Sequence, residues 1–265
     1  MERNTLNRIL IGAGVVLVAG AAGLYFYKGR SSPPPPPEPV VAAPAPATEA
    51  PAELPENPLP ADGDGSGSSL PSLADSDAPL AGELGNLFGT ESVKAWLVPE
   101  TLVRRLVATV DNMPRGKPAD RLRPVKYLEG QFEVTRVAGT SGGDDTITLA
   151  DANYVRYDAL VRLVSAADMQ QVANLYKRYY PLFQQSYEEL GYPGKYFNDR
   201  LVVALDHLLQ TPEIASPVLL TQPKVFYEFA DPSLEARSAG QKLLLRMGPR
   251  NQAAVKTKLR ELRAA

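Results

Sequence analysis

The dominant pattern along the chain is helical, because apolar residues recur every three to four positions in several segments after residue 75. Residues 99–113, PETLVRRLVATVDNM, place six apolar side chains on one helix face: Leu102, Val103, Leu106, Val107, Val110 and Met113. Residues 168–191 repeat the spacing, with Asp168 at the start and Gly191 at the end. Further helices are predicted over 75–89 and 151–166, within 195–213, and after Pro232 and Pro249.

Strand signals are fewer and shorter. QFEVTRV, residues 131–137, and DTITL, residues 145–149, predict a hairpin, and VLLTQPKVFYEF, residues 218–229, predicts one strand or two. No alternation of strand and helix indicates a parallel sheet. The pattern therefore predicts an α+β fold that is mostly α-helical, with a small antiparallel β hairpin or sheet.

The longest apolar run lies near the N-terminus. Ile9 to Tyr27 is 19 residues without a charge, and as a helix it would span roughly 28 Å, close to the hydrocarbon thickness of a bilayer. A cleaved signal peptide is the alternative, because AGA at 19–21 offers small residues for cleavage. The apolar run continues past that point, so we expect residues 1–30 to hold a retained single-pass transmembrane anchor.

Residues 31–69 have the composition of a linker. They contain 12 of the 25 prolines, six acidic residues, and no Lys or Arg. Such a segment cannot bury enough apolar surface to offset its ordering entropy, so we predict a disordered tether before a globular domain over 70–265. Nothing in it retains the chain on the cytoplasmic side, which favours a domain outside the inner membrane.

Composition excludes several kinds of site. The chain has no cysteine and a single histidine, so it forms no disulfide, no thiolate metal site and no site that needs two imidazoles. Its formal net charge is −2, which gives no sign of a nucleic-acid partner. We expect no cofactor and no metal.

A basic loop is the first candidate site. Residues 104–126 hold seven basic and two acidic residues, and four of the basic ones crowd a Pro/Gly-marked stretch: Arg115, Lys117, Arg121 and Arg123. Such a loop could hold a phosphate, an anionic lipid head or a carboxylate of a partner. A solvated loop whose arginines pair with local acids is the alternative.

Two catalytic patterns are weaker. GTSGG, residues 139–143, matches the G-x-S-x-G nucleophile elbow, but a strand is predicted after it where an elbow needs a helix. His207 lies nearly opposite the centre of its helix's apolar arc, on a solvated or second-layer face. We therefore predict a scaffold role for His207, at little cost in stability if it is replaced, and a first-turn role for Asp199.

Three phrases resemble a known family: WLVPETLVRRLVATVDNMPRGKPADRLRP, YPLFQQSYEELGYPGKYFNDRLVVALDHLL and PKVFYEFADPSLEARSAGQKLLLRMGPRNQAAVKTKLRELR. They are similar to the domain of unknown function 3014 family of proteobacterial proteins, over about residues 73–264. The resemblance implies a bacterial inner-membrane protein with an N-terminal membrane segment, a proline-rich spacer and this domain. It implies no reaction and no catalytic residues.

Two function classes follow. The favoured one is a non-enzymatic binding module, tethered to the inner membrane, that recognises an envelope protein or an anionic envelope polymer. The alternative is an envelope hydrolase that uses carboxylates, with candidates Asp199, Asp206 and Glu188 or Glu189.

Overall fold

The computed structural model describes residues 54–59, 70–117, 120–139 and 145–265. The predicted anchor over 9–27 lies outside these ranges. Among the described residues, no helix combines the length and the apolar character that crossing a bilayer requires.

The part of the chain that the structure describes contains nine α-helices. They are α1 (Asp77–Phe88), α2 (Thr90–Trp96), α3 (Leu102–Asn112), α4 (Ala152–Ala166), α5 (Met169–Glu189), α6 (Phe197–Leu209), α7 (Pro232–Glu235), α8 (Ala239–Arg246) and α9 (Gly248–Ala264). Every segment predicted to be helical contains one. The seven-residue α2 was not predicted, and the single helix predicted after Pro232 is divided into α7 and α8.

Polar side chains fix where several helices begin. The Asp168 carboxylate accepts hydrogen bonds from the backbone N–H groups of Gln170 and Gln171 at the start of α5. The Ser238 hydroxyl accepts from the Gln241 N–H at the start of α8. These bonds satisfy donors that have no partner within the helix, which is why short polar residues favour this position.

The four strands form one antiparallel sheet in the order β1 (Val134–Val137), β2 (Thr146–Leu149), β3 (Leu219–Thr221) and β4 (Glu228–Phe229). The predicted hairpin is confirmed as β1 and β2, in which Val134 pairs with Leu149. The segment 218–229 forms two short strands. The predicted α+β class, mostly helical with a small antiparallel sheet, is therefore confirmed.

The G-x-S-x-G match lies between β1 and β2, with residues 140–143 outside the described ranges. A strand, β2, follows it and pairs antiparallel with β1. A nucleophile elbow requires a strand-to-helix turn, so this context does not fit one.

The core divides into two helical clusters and a smaller one beneath the sheet. The first joins α1, α2, α3 and α5, the second joins α4, α6, α8 and α9, and the third packs the sheet on Leu245 of α8. The predicted apolar face of α3 is almost fully buried, with Leu102 and Val107 both 0% exposed. Helices α5, α6 and α9 meet where the candidate site lies.

Candidate functional site

A groove between α5, α6 and α9 holds residues 54–59 of the same chain. These residues, LPENPL, belong to the stretch predicted to be a disordered linker, yet in the structure they lie against the domain. Beside the segment a space of about 390 Å³ remains. Glu56, Asn57, Pro58 and Leu59 form one wall of this space, and its other walls are Ala173, Tyr176, Lys177, Asn198, Leu201, Val202, Leu205, Leu262, Arg263 and Ala265. The domain therefore contacts a short peptide segment of its own chain, and that segment bends at Glu56 and Asn57.

Asp199 is the main polar contact with the segment. Its Oδ2 accepts a hydrogen bond from the Glu56 backbone N–H at 3.1 Å, and its Oδ1 accepts from the Asn57 backbone N–H at 2.6 Å. The Asn57 side-chain amide also donates to Oδ1, at 3.0 Å. Asp168 also accepts from two successive backbone amides, at the start of its own helix α5. Asp199 instead accepts such a pair from a segment that is distant in sequence. Hydrogen bonds to an ionised group are roughly twice as strong as neutral ones.

Asn198 holds the segment from the other side of the Asn57 peptide unit. Its side-chain amide donates to the Asn57 carbonyl oxygen at 2.8 Å, and its own Oδ1 accepts from the Tyr176 hydroxyl at 3.0 Å. Asn198 is 8% exposed. Burial raises the pKa of the Tyr176 phenol, and the nearby Tyr180 and Asp199 add to that shift, so the hydroxyl keeps its proton and orients Asn198.

The residues of the segment differ in exposure. Pro55, Asn57 and Leu59 are partly buried, whereas Glu56 and Pro58 are exposed, and the backbone bends at Glu56 and Asn57. The bend lets two successive backbone N–H groups reach one carboxylate, as they do at the start of a helix. The segment is thus held through its backbone and the Asn57 side chain.

An apolar cavity of about 130 Å³ lies beneath the groove, between the two helical clusters. Four side chains line both spaces: Tyr176, Leu201, Leu205 and Leu262. The groove floor is therefore backed by empty space as well as by packed side chains. Removal of atoms from this region costs contacts that the core does not replace.

The predicted basic loop is partly engaged by the domain itself. The Arg115 guanidinium lies 2.9 Å from the Asp111 carboxylate and donates to the Tyr192 hydroxyl at 2.6 Å. The Asp111 hydrogen bond and charge raise the pKa of Arg115.

The other three basic residues of the loop differ in their surroundings. The Arg123 guanidinium carbon lies 3.1 Å from the centre of the Tyr127 ring. Lys117 and Arg121 are exposed, and neither forms an ion pair within the described residues. Ligand binding by these four residues stays a prediction.

Sequence reasoning missed the residues that hold this loop. Arg105 donates to the backbone carbonyl oxygens of Arg121 and Arg123, at 3.0 and 3.2 Å. Asp111, whose side chain is 6% exposed, accepts from Arg200 of α6 at 2.9 Å. Asp111 is the only acid in the first half of the basic stretch 104–126. An isolated acid among arginines was the sequence feature that could have indicated its role.

The acids of the hydrolase hypothesis are each bonded to other groups. Asp206 contacts Arg263 at 3.2 Å, and Glu188 accepts from the Gln184 amide at 2.8 Å. Glu189 pairs with Arg104 at 2.8 Å, and that hydrogen bond lowers the pKa of Glu189. Asp199 contacts the segment, so its expected role in the first turn of α6 is accompanied by a second one.

The sequence predicted that His207 lies on either a solvated face or a second-layer face of its helix, and the structure has it on a second-layer face. Its Nε2 is 2.8 Å from the Ser238 hydroxyl oxygen, the group that caps α8, and the residue is partly buried. The expectation that its loss would cost little rested on a surface position. A partly buried hydrogen bond to a capping residue contributes about 1 kcal/mol, so the expected cost is higher.

The architecture and the groove together define a mostly helical α+β domain that contacts a short, bent segment of its own chain. Residues 102–263 match the family described as "Protein of unknown function (DUF3014)", and the chain belongs to that family. The match includes α5, α6 and most of α9, which form the groove, but not residues 54–59. No curated protein and no solved structure matches the chain.

Proposed function

We propose that this chain is a membrane-tethered, non-enzymatic binding module of the bacterial cell envelope, and that the groove between α5, α6 and α9 is its protein-recognition site. The observation that carries the proposal is the Asp199 carboxylate, which accepts two successive backbone amides of a separate segment. Peptide recognition commonly takes affinity from main-chain hydrogen bonds and specificity from side chains held in pockets.

The surroundings of the acids favour binding over catalysis. A general acid or base must be within hydrogen-bond reach of a substrate proton. Asp199 contacts the segment, Asp206 contacts Arg263, and Glu188 contacts Gln184. These bonds support a scaffolding role for the three carboxylates that the hydrolase hypothesis needs.

The sequence supports the proposed location. The uncharged run over 9–27 has the length of a transmembrane helix, and the acidic linker after it favours a domain on the periplasmic side. The family likeness supports a bacterial inner membrane. A partner would then be an envelope protein that presents a short peptide segment to the groove.

The test is site-specific photo-crosslinking of the full chain in its native membrane. A photoreactive amino acid replaces Val202, which lines the groove, or Val203, which is 48% exposed next to it on α6. The chain also carries Asn57→Ala, which removes one contact of the segment with Asp199 and so weakens its hold on the groove. We expect a discrete adduct with another protein from position 202 only. A synthetic peptide of residues 52–61 added to membrane vesicles should abolish it.

Val203 is the matched control, because both positions are on one helix and differ in the direction they face. Equal adducts from both positions, no adduct from position 202, or an adduct that the peptide leaves unchanged would overturn the proposal.

A further inference from the structure

Residues 54–59 make contacts that a peptide from another protein could make equally well. The contacts with Asp199 and Asn198 use the backbone N–H groups of residues 56 and 57, the carbonyl of residue 57 and the Asn57 side chain. None depends on the covalent link to the domain. From this geometry we infer that residues 54–59 are an internal ligand, which blocks the groove against partner peptides of the same chemistry. This inference rests on the proposed function.

The contacts define that chemistry. Two successive backbone N–H groups must reach one carboxylate, so the positions equivalent to Glu56 and Asn57 cannot be proline, which has no N–H. The second must be Asn, because its side-chain amide gives Asp199 a third donor. The position equivalent to Glu56 is otherwise unrestricted, since Glu56 is exposed and its bond to Asp199 uses the backbone N–H.

The proline after Asn57 has a physical reason. A residue that precedes proline is biased away from helical backbone, so Pro58 restricts the conformations of Asn57 before the segment docks. Pro58 also has no N–H that would need a partner beside the groove. The ligand class is therefore a short peptide that contains Asn immediately before Pro, with any non-proline residue before the Asn, and that bends at these two residues as the segment does.

Covalent linkage makes the internal segment a strong competitor. Only ten residues, 60–69, separate Leu59 from Leu70. A short tether gives a local concentration on the order of 1 mM. A partner peptide must displace the segment at that concentration, so its apparent affinity is its intrinsic affinity multiplied by the fraction of time in which the groove is free. A substitution that weakens the segment but leaves the groove intact should restore the affinity.

The experiment measures binding of a fluorescent peptide of residues 52–61, AELPENPLPA, to the full chain reconstituted in lipid nanodiscs. Asn57→Ala in the chain removes the side-chain amide that donates to Asp199 and changes none of the domain residues that line the groove. We expect this variant to bind the peptide at least tenfold more tightly than the wild type. Glu56→Ala, which changes an exposed side chain of the same segment, is the matched control and should equal the wild type.

Two further samples test the contacts. The double variant Asn57→Ala with Asp199→Asn should lose binding, because an amide offers one acceptor where the carboxylate offers two. A peptide with Ala in place of its Asn should bind the Asn57→Ala chain at least tenfold more weakly than the unchanged peptide. Equal binding of the two peptides would overturn the assigned chemistry.

The remaining outcomes separate this inference from the proposed function. Equal affinity of wild-type and Asn57→Ala chains for the peptide would overturn the internal block and leave protein recognition standing. No binding to the Asn57→Ala chain would overturn the inference, and the photo-crosslinking from position 202 would then decide the proposed function alone. Dimers in the wild type that become monomers in Asn57→Ala would show segments exchanged between two copies, which also overturns a block within one chain.

Discussion

At the scale of single residues, two aspartates each accept hydrogen bonds from two successive backbone N–H groups, but of different segments. Asp77, the first residue of α1, accepts from the backbone N–H groups of Thr101 and Leu102, both at 2.7 Å, and so caps α3 from a distance. Asp199 accepts the corresponding pair from residues 56 and 57. Each lies in the first turn of its own helix, where an acid is favourable in any case. The sequence predicts that position but not the segment that reaches the carboxylate.

His207 gives a pH dependence whose sign is fixed by its surroundings. Partial burial lowers the pKa of His207 below its ordinary value near 6.5, and the positive charges of Arg200 and Arg237 lower it further. Between the two pKa values the unfolded chain binds a proton that the folded chain does not. The contribution of neutral His207 to stability is therefore complete above about pH 6.5 and is lost as the pH falls from there through the folded pKa.

The expected result concerns His207→Gln, measured by urea unfolding of the full chain in detergent at pH 7.5 and pH 5.5. The wild type should lose more stability between these pH values than the variant, because only the wild type has the imidazole to protonate. A variant with the same pH dependence as the wild type would contradict the assignment of the effect to His207.

At the scale of elements, the connection between α8 and α9 is very short, and it requires a glycine. Met247 alone separates α8, which ends at Arg246, from α9, which begins at Gly248. Gly248 has φ of +80°, and a Cβ there would lie 2.7 Å from the ring of Tyr154. Both the backbone conformation and the close ring therefore require glycine.

We expect Gly248→Ala to lower the free energy of unfolding by about 2–4 kcal/mol, from about 1 kcal/mol of backbone strain and about 1–3 kcal/mol of overpacking. Gly191→Ala is the matched control, because Gly191 has φ of +109° and no atom within 4 Å of its added Cβ. It should show only the strain. Chemical denaturation of both variants measures the difference, and equal losses would show that the Tyr154 contact yields without cost.

Long periodic elements were predictable, and short ones only in part. The face of α3 was predictable because six apolar residues repeat along it, and β1 with β2 because two β-prone runs flank a Gly-rich stretch. The seven residues of α2 carry too little pattern to predict a helix. The segment 218–229 was predicted as one strand or two, but the bounds of β3 and β4 depend on pairing with neighbours, which no local window contains.

At the scale of the whole molecule, the membrane anchor is the main expectation from sequence. If residues 9–27 form a retained anchor, a reporter that is active only in the periplasm should work when fused after residue 265. The protein should also stay in the membrane after a high-salt wash, because an apolar helix is held by burial and not by charge. Release of a soluble, shortened chain would show a cleaved signal peptide, and cytoplasmic reporter activity would reverse the orientation.

The groove was beyond prediction for a different reason. Its walls come from helices that were predicted separately, and Asp199 was named as an acid rather than as a peptide contact. Residues 54–59 were assigned to the linker because their prolines and lack of aromatic residues are typical of disordered chain. What composition misses is that a short stretch can bind when a preformed surface supplies the polar partners, since the prolines reduce its ordering cost.

If residues 9–27 anchor the chain in a membrane as proposed, the docked segment also limits how far the domain extends from that membrane. With residues 54–59 in the groove, only residues 31–53 connect the proposed anchor to a fixed point on the domain, 23 residues by sequence. At about 3.1 Å per residue they extend at most about 70 Å. With the segment released, all 39 residues of 31–69 are available, and the limit becomes about 120 Å. A partner peptide that replaces the segment would therefore lengthen the linker's maximum span by about 50 Å. Whether the groove holds the segment or a partner would thus set the maximum distance of the domain from the membrane.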